Sequence, residues 1–126
     1  MTLTLDIGGE GRHLDAWNLN PSATKTLGPD RGRPIRRHIL GRAEAIPYPD
    51  QSVDRIIVER TPLHKAALTE ISRVIALGGS VILRHAVPFG IDPHALAKAI
   101  LPGRVTQRLV QMSGQSLQQI HFQIER

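Results

Sequence analysis

Apolar and polar residues alternate from the first positions of the chain. Leu3, Leu5 and Ile7 stand between Thr2, Thr4 and Asp6, the two-residue period of a strand over 2–7. Gly8-Gly9-Glu10-Gly11 ends it. A glycine-rich turn after a strand lets backbone approach a ligand without an intervening side chain. Residues 14–19 read as a second short strand, closed by Asn20-Pro21-Ser22. The connection over 8–13 is short. Parallel neighbours normally need a crossover of about a dozen residues, while a fully extended segment of this length reaches about 20 Å. Two arrangements stay open. In a parallel pair joined by a bare loop, Gly8 and Asn18 to Asn20 share one rim of the sheet. In a hairpin they lie at opposite ends.

Residues 21–34 lack periodicity and read as a long loop, with a helical turn near Ser22 to Lys25; residues 35–40 are a third strand candidate. The polar turn Pro47-Tyr48-Pro49-Asp50 then leads into the run Val53 to Val58. Its near-continuous apolar character suits a central strand covered on both faces. Thr61 is a candidate N-cap with Pro62 at the first helical position. Leu63, Ala67, Leu68, Ile71, Val74 and Ile75 recur at three- and four-residue steps, so the pattern predicts a helix to Leu77, stopped by Gly78-Gly79. Val81 to Leu83 is a buried strand. The segment from Gly41 to Leu83 is therefore strand, helix, strand, the unit of a parallel α/β sheet. Asp92-Pro93 opens a helix to Ile100. Residues 104–112 and 116–125 form a terminal antiparallel hairpin, with Gln107, Gln111, Gln118, Gln119 and Gln123 on its solvent side.

Composition narrows the possibilities. At 126 residues the chain suits a single domain over 1–126, and with 3% aromatic residues its core is aliphatic. The absence of cysteine excludes disulfides, thiolate metal sites and a Cys nucleophile. No run approaches the ~20 apolar residues of a membrane span, and the first residues lack the pattern of a signal peptide. A cytoplasmic location is the expectation. Net charge is +5, with Arg31, Arg33, Arg36, Arg37 and Arg42 in one stretch. Such a cluster either contacts phosphate or nucleic acid or is simply a solvated loop. It contains no aromatic residue to stack on bases.

The histidines are scattered, and none stands at metal-ligand spacing with another His, Asp or Glu on a helix face, so no metal site is expected. His85 follows a strand and reaches the rim as a candidate base. Glu59 ends a central strand, where α/β folds carry functional groups; its structural role would be an ion pair with Arg60 or Arg84.

Arg42-Ala43-Glu44-Ala45-Ile46-Pro47-Tyr48-Pro49-Asp50-Gln51-Ser52-Val53-Asp54, followed by Arg73-Val74-Ile75-Ala76-Leu77-Gly78-Gly79, resembles two ordered segments of the class I S-adenosylmethionine-dependent methyltransferases. Leu5-Asp6-Ile7-Gly8 and Trp17-Asn18-Leu19-Asn20-Pro21 resemble that family's first and second motifs. The resemblance implies a mostly parallel Rossmann-like sheet with flanking helices and a C-terminal antiparallel hairpin. It also implies S-adenosylmethionine along Asp6, Gly8, Gly9 and Gly11, with Asn18 at the ribose and Ala43 and Glu44 near the adenine. Glu59 and His85 fall on the acceptor side. Catalytic residues are not identified. Three departures stand beside it: Glu10 replaces a motif glycine, Arg42 replaces an acidic residue, and no helix follows the first motif. Two readings result: a minimal methyltransferase acting on a small or partner-bound acceptor, or a non-catalytic binding or assembly module. A sheet short of one covering helix leads to an expected homodimer or a protein partner on its exposed face.

Overall fold

The computed structural model describes residues 2–125. Seven strands make one sheet: β1 (Thr4–Ile7), β2 (Trp17–Asn20), β3 (His38–Leu40), β4 (Val53–Glu59), β5 (Ile75–His85), β6 (Arg104–Met112) and β7 (Gln115–Gln123), in the order β3-β2-β1-β4-β5-β7-β6. β1 pairs in parallel with β2 and β4, β2 with β3, and β4 with β5; β7 is antiparallel to β5 and β6. The chain thus has the α/β architecture expected, hairpin included. The choice left open at β1 and β2 is decided as parallel, with Asp6 beside Asn18. Residues 8–16 cross between them without a helix. The hairpin turns at Ser113-Gly114, both with positive φ (50° and 75°), which matches the twist of the flanking strands.

Two α-helices, α1 (Lys65–Val74) and α2 (Ala95–Ile100), join the strands. Both pack on the same face. Leu5, Ile7, Ile56, Val58, Val81, Leu83, Ile120 and Phe122 project to that face and form one apolar cluster with Leu68, Ile71, Val74 and Ala97. The intervening residues of each strand face the other way: Thr4, Asp6, Arg55, Ile57, Ser80, Ile82, Arg84, Gln119, His121 and Thr106. Among the described residues no helix covers that second face. β4 is nevertheless buried on both faces, as its apolar run predicts: Ile56 and Val58 lie in the main cluster and Ile57, also buried, lies outside it.

The helix boundaries also move. α1 begins after His64, and Thr61 is not its cap. Thr61 is held elsewhere: a Cβ on Gly8 (φ +74°) would overlap the Thr61 hydroxyl, so the glycine turn packs directly on this residue. α1 ends at Val74 rather than Leu77. Ile75 is fully buried and pairs with Val53, drawing the chain into β5 at once. The register shift that follows is absorbed near Gly78 (φ +80°) and Gly79, whose Cβ would stand 2.7 Å from the Asp54 carbonyl oxygen. α2 starts at Ala95; Asp92 still accepts the His94 backbone N–H at 2.9 Å.

The one-sided core makes a direct prediction. Ile71→Ala, at the centre of the cluster, should lower unfolding stability by about 2–5 kcal/mol in urea titration. Thr106→Ala, exposed on the second face, should stay within about 0.5 kcal/mol. Equal losses would contradict the assignment of faces.

Candidate functional site

Parallel β1, β2 and β4 end at one rim, and the connections leaving them enclose a cavity of about 690 Å³. Its wall includes Asp6, Gly8, Gly9, Glu10, Gly11 and Asn20 from the first two strands and their turns. Glu59 to Pro62 close the other side, and residues 25–30 arch over it. This is the crevice at carboxyl strand ends where open α/β sheets bind ligands.

The glycine turn is fastened to β2. Gly8 N–H donates to the Leu19 carbonyl at 2.7 Å, Gly11 N–H to Asn18 Oδ1 at 3.2 Å, and Asn20 Nδ2 to the Gly9 carbonyl at 3.1 Å. Asn18 Nδ2 donates to the Arg36 carbonyl at 2.9 Å. Both ends of the Asn18 amide are therefore occupied by the chain itself, and the residue is buried. Asn18 does not line the cavity; Asn20, two residues on, does. Ala43 and Glu44 lie on a 3₁₀ turn (Ala43–Ala45) packed against α1, also outside the cavity wall. Of the sequence-derived residues, Asp6, Gly8, Gly9, Gly11 and Glu59 are thus brought together, and Asn18, Ala43, Glu44 and His85 are not among them.

Glu10 takes a position the sequence does not announce. Its carboxylate, in the cavity wall, accepts from Thr26 N–H at 3.1 Å and Thr26 Oγ1 at 2.7 Å. It latches the 21–34 loop instead of filling the turn. That loop closes on itself through Lys25 N–H to Arg33 O at 2.7 Å and is anchored by buried Ile35. Arg37, from the basic stretch, lies over the Trp17 ring at 4.5 Å. The cluster therefore does have an aromatic neighbour, supplied by β2.

Asp6 and Glu59 of the cavity wall stand beside a third titratable group, His13, which is not part of that wall. His13 Nε2 is 2.9 Å from Glu59 Oε1, and Arg84 Nη1 donates to Glu59 Oε2 at 2.7 Å. Burial pushes Glu59 upward, but the His13 and Arg84 hydrogen bonds outweigh it and its pKa falls. Asp6 has no such help. It is only 3% exposed, and its pKa is raised to about 6, chiefly by burial, with His13 opposing. One donor atom each from Asp6, His13 and Glu59 all lie within 4.8 Å of one another. This group runs against the expectation of no metal-ligand set. His13 belongs to the bare crossover, and its distance in sequence from Glu59 hides the pairing. The only available signal is the parallel option for β1 and β2, which forces residues 8–16 back along the sheet.

His85 sits beside a second, smaller cavity of about 290 Å³, walled by Leu63, Leu68, Leu83 and Leu96. Its Nε2 lies 2.7 Å from the Thr61 carbonyl, and its Nδ1 lies 2.8 Å from His94 Nε2. His94 Nδ1 is 2.7 Å from the Gln118 amide. Burial lowers the pKa of both histidines. Gln118 and Gln119 are thus not merely solvent-facing; Gln119 Oε1 accepts from Arg84 Nε at 2.8 Å. Arg60 and Pro62 line both cavities. No helix among the described residues is long and apolar enough to cross a membrane.

No protein-family model matches the chain, and no curated protein matches it. Solved structures do. It is similar to the YcgJ protein from Bacillus subtilis, with 16% identity, 99% of this chain and 92% of that one covered, and a TM-score of 0.66. A SAM-dependent methyltransferase of Thermotoga maritima, described as a possible histamine N-methyltransferase, gives 17%, 97%, 82% and 0.67. A mutant 16S rRNA (adenine(1408)-N(1))-methyltransferase from Catenulisporales acidiphilia, solved with the cosubstrate SAM, gives 13%, 99%, 85% and 0.64. At these identities the likeness is one of fold: the chain has the fold of class I SAM-dependent methyltransferases over nearly its whole length.

Asp6 predicts an unusual pH dependence. A carboxyl whose folded pKa is raised favours folding while protonated, and that contribution is lost as pH climbs through about 6. Above this point the buried charge costs about 3 kcal/mol. Asp6→Asn should therefore be more stable than the parent at pH 8, with the difference closing below about pH 4. Urea midpoints that run parallel across this range would contradict the burial argument.

Proposed function

We propose that the chain binds S-adenosylmethionine in the larger cavity and acts as a methyltransferase-like domain toward a small or partner-bound acceptor. The observation that carries this reading is the cavity at the carboxyl ends of β1, β2 and β4, bordered by the glycine turn and by Asp6. The residues present fit the ligand. At about 690 Å³ the space is of cofactor size. Glu10, held by Thr26, does not obstruct it. The Asp6 carboxylate, charged at neutral pH at a cost, suits a cationic amino or sulfonium group. A bound cofactor would supply a methyl group already activated on sulfur.

The protein's part is then to orient and to exclude water, because alignment accounts for much of the rate in such transfers. Gly8 and Gly9 keep the turn tight against Thr61 and Asn18, so backbone borders the ligand there. The arch over 25–30 shields it from above. The Glu59 to Pro62 segment separates the two cavities, and we assign the acceptor to its far side, beside His85 and the leucine wall. Both ring nitrogens of His85 are engaged, so it shapes that side more than it collects a proton. Asn18, Ala43 and Glu44 contribute at most indirectly to this binding mode. The helix-free second face of the sheet is the surface we propose for a second chain; a monomer at high concentration in sedimentation would exclude the homodimer.

The cofactor reading is tested by thermal unfolding with S-adenosylhomocysteine. Ligand at 100 times Kd should stabilise the chain by about 2.7 kcal/mol. No shift at millimolar ligand would leave the non-catalytic binding module as the better description.

A further inference from the structure

Asp6 and Glu59 of the cavity wall form a cluster with His13, of which the cofactor reading engages only the Asp6 carboxylate. We propose that Asp6, His13 and Glu59 bind a first-row divalent cation such as Zn²⁺. Their donor atoms lie within 4.8 Å of one another, on the end of β1, the bare crossover and the end of β4. The 2.9 Å between His13 Nε2 and Glu59 Oε1 is already close to the spacing of two neighbouring ligands that each stand about 2.1 Å from one ion. Nε2 would turn its lone pair to the ion, with the ring proton on Nδ1.

Asp6 supplies the second, independent observation. It is 97% removed from solvent, lines the cavity, and has no hydrogen-bond partner among the described residues. A buried carboxylate without a partner is costly, and an ion at this position would offset that cost. Glu59 is prepared in a different way. Arg84 holds its Oε2 at 2.7 Å and is itself fixed by Gln119 at 2.8 Å. Oε1 remains on the cluster side, oriented by an outer layer of hydrogen bonds as metal-bound carboxylates usually are. One imidazole with two carboxylates favours Zn²⁺, Mn²⁺ or Fe²⁺ over Mg²⁺, which prefers oxygen ligands and water. The nearby Arg12 and Arg84 charges act against the ion and limit its affinity.

The site does not depend on the cofactor reading, and its test contains no cofactor. The full chain, stripped with chelator, is titrated with Co²⁺ while its visible absorption is followed, and with Zn²⁺ in a calorimeter. The expected result is a single equivalent bound, with affinity reduced about tenfold or more in Asp6→Asn and in His13→Gln. His64→Gln, which alters an exposed histidine outside the cluster, should bind like the parent. Should His13→Gln fail to fold, Asp6→Asn decides alone, since that change removes no hydrogen bond. Absence of stoichiometric binding up to millimolar metal would overturn the proposal. So would binding that Asp6→Asn and His13→Gln leave unaltered.

Discussion

Parallel pairing of β1 and β2 across a connection with no helix is the constraint on which the site depends. A chain leaving the end of β1 must return along the whole strand before β2 can begin beside it. Residues 8–16 do so through turns and bends, one of them closed by Ala16 N–H to the His13 carbonyl at 3.1 Å, and no helix forms. Without a helix to present an apolar face there, this side of the sheet is closed largely by polar contacts. Gly11 leans on Asn18, Asn20 holds Gly9, and His13 settles on Glu59. The motif asparagine becomes a structural brace because the turn it faces has no helix to hold it.

The same constraint divides the energetics between the two faces. One face has an aliphatic core, from Leu5 through Phe122, sealed by α1 and α2. The other carries Asp6, Glu59, Arg84 and His121, whose Nε2 is buried without a partner. Stability therefore comes from one layer, and the polar layer is free to hold groups in unfavourable states. Asp6 and Glu59 are the contrast. Both are acids removed from water near the same His13. Glu59 receives two hydrogen bonds and stays ionised easily; Asp6 receives none and resists ionisation. Neighbouring acids driven in opposite directions by their surroundings are a feature of sites that handle charge.

Much of the frame was legible because it rests on local pattern. Alternation around Leu5, the β-branched run at Val53 to Val58 and the Ser113-Gly114 turn each carry their geometry in a few residues. The helix ends were not, because tertiary packing decided them. Ile75 continues the helical apolar stripe equally well, but burial against Val53 claims it for β5. Thr61 precedes a proline as a cap should, yet Gly8 packs on it from a distant turn. In the site, Asp6 and the glycines follow from strand position alone. His13 and its pairing with Glu59 required knowledge of which way β2 runs, and that was the choice the sequence left open. Gln118 and Gln119 look like a solvent-facing pattern until α2 and Arg84 are brought over them.

The hydrogen bonds around His85 show how far the second cavity is prearranged. The Thr61 carbonyl can only accept, so His85 Nε2 must carry its proton. Burial keeps both rings neutral, which leaves His85 Nδ1 as an acceptor. His94 must then donate from Nε2. Its Nδ1 faces Gln118 Oε1 at 2.7 Å, an oxygen that can only accept. The row from His94 through His85 to Thr61 thus runs in a single direction. A proton added to His85 Nδ1 would set two donors against each other, whereas one added to His94 Nδ1 would meet an acceptor. Thr61 is also the residue against which Gly8 packs, so this row ends on the wall that the two cavities share. The orientation of β7, by way of Gln118, reaches the glycine turn of β1 through three side chains and one carbonyl.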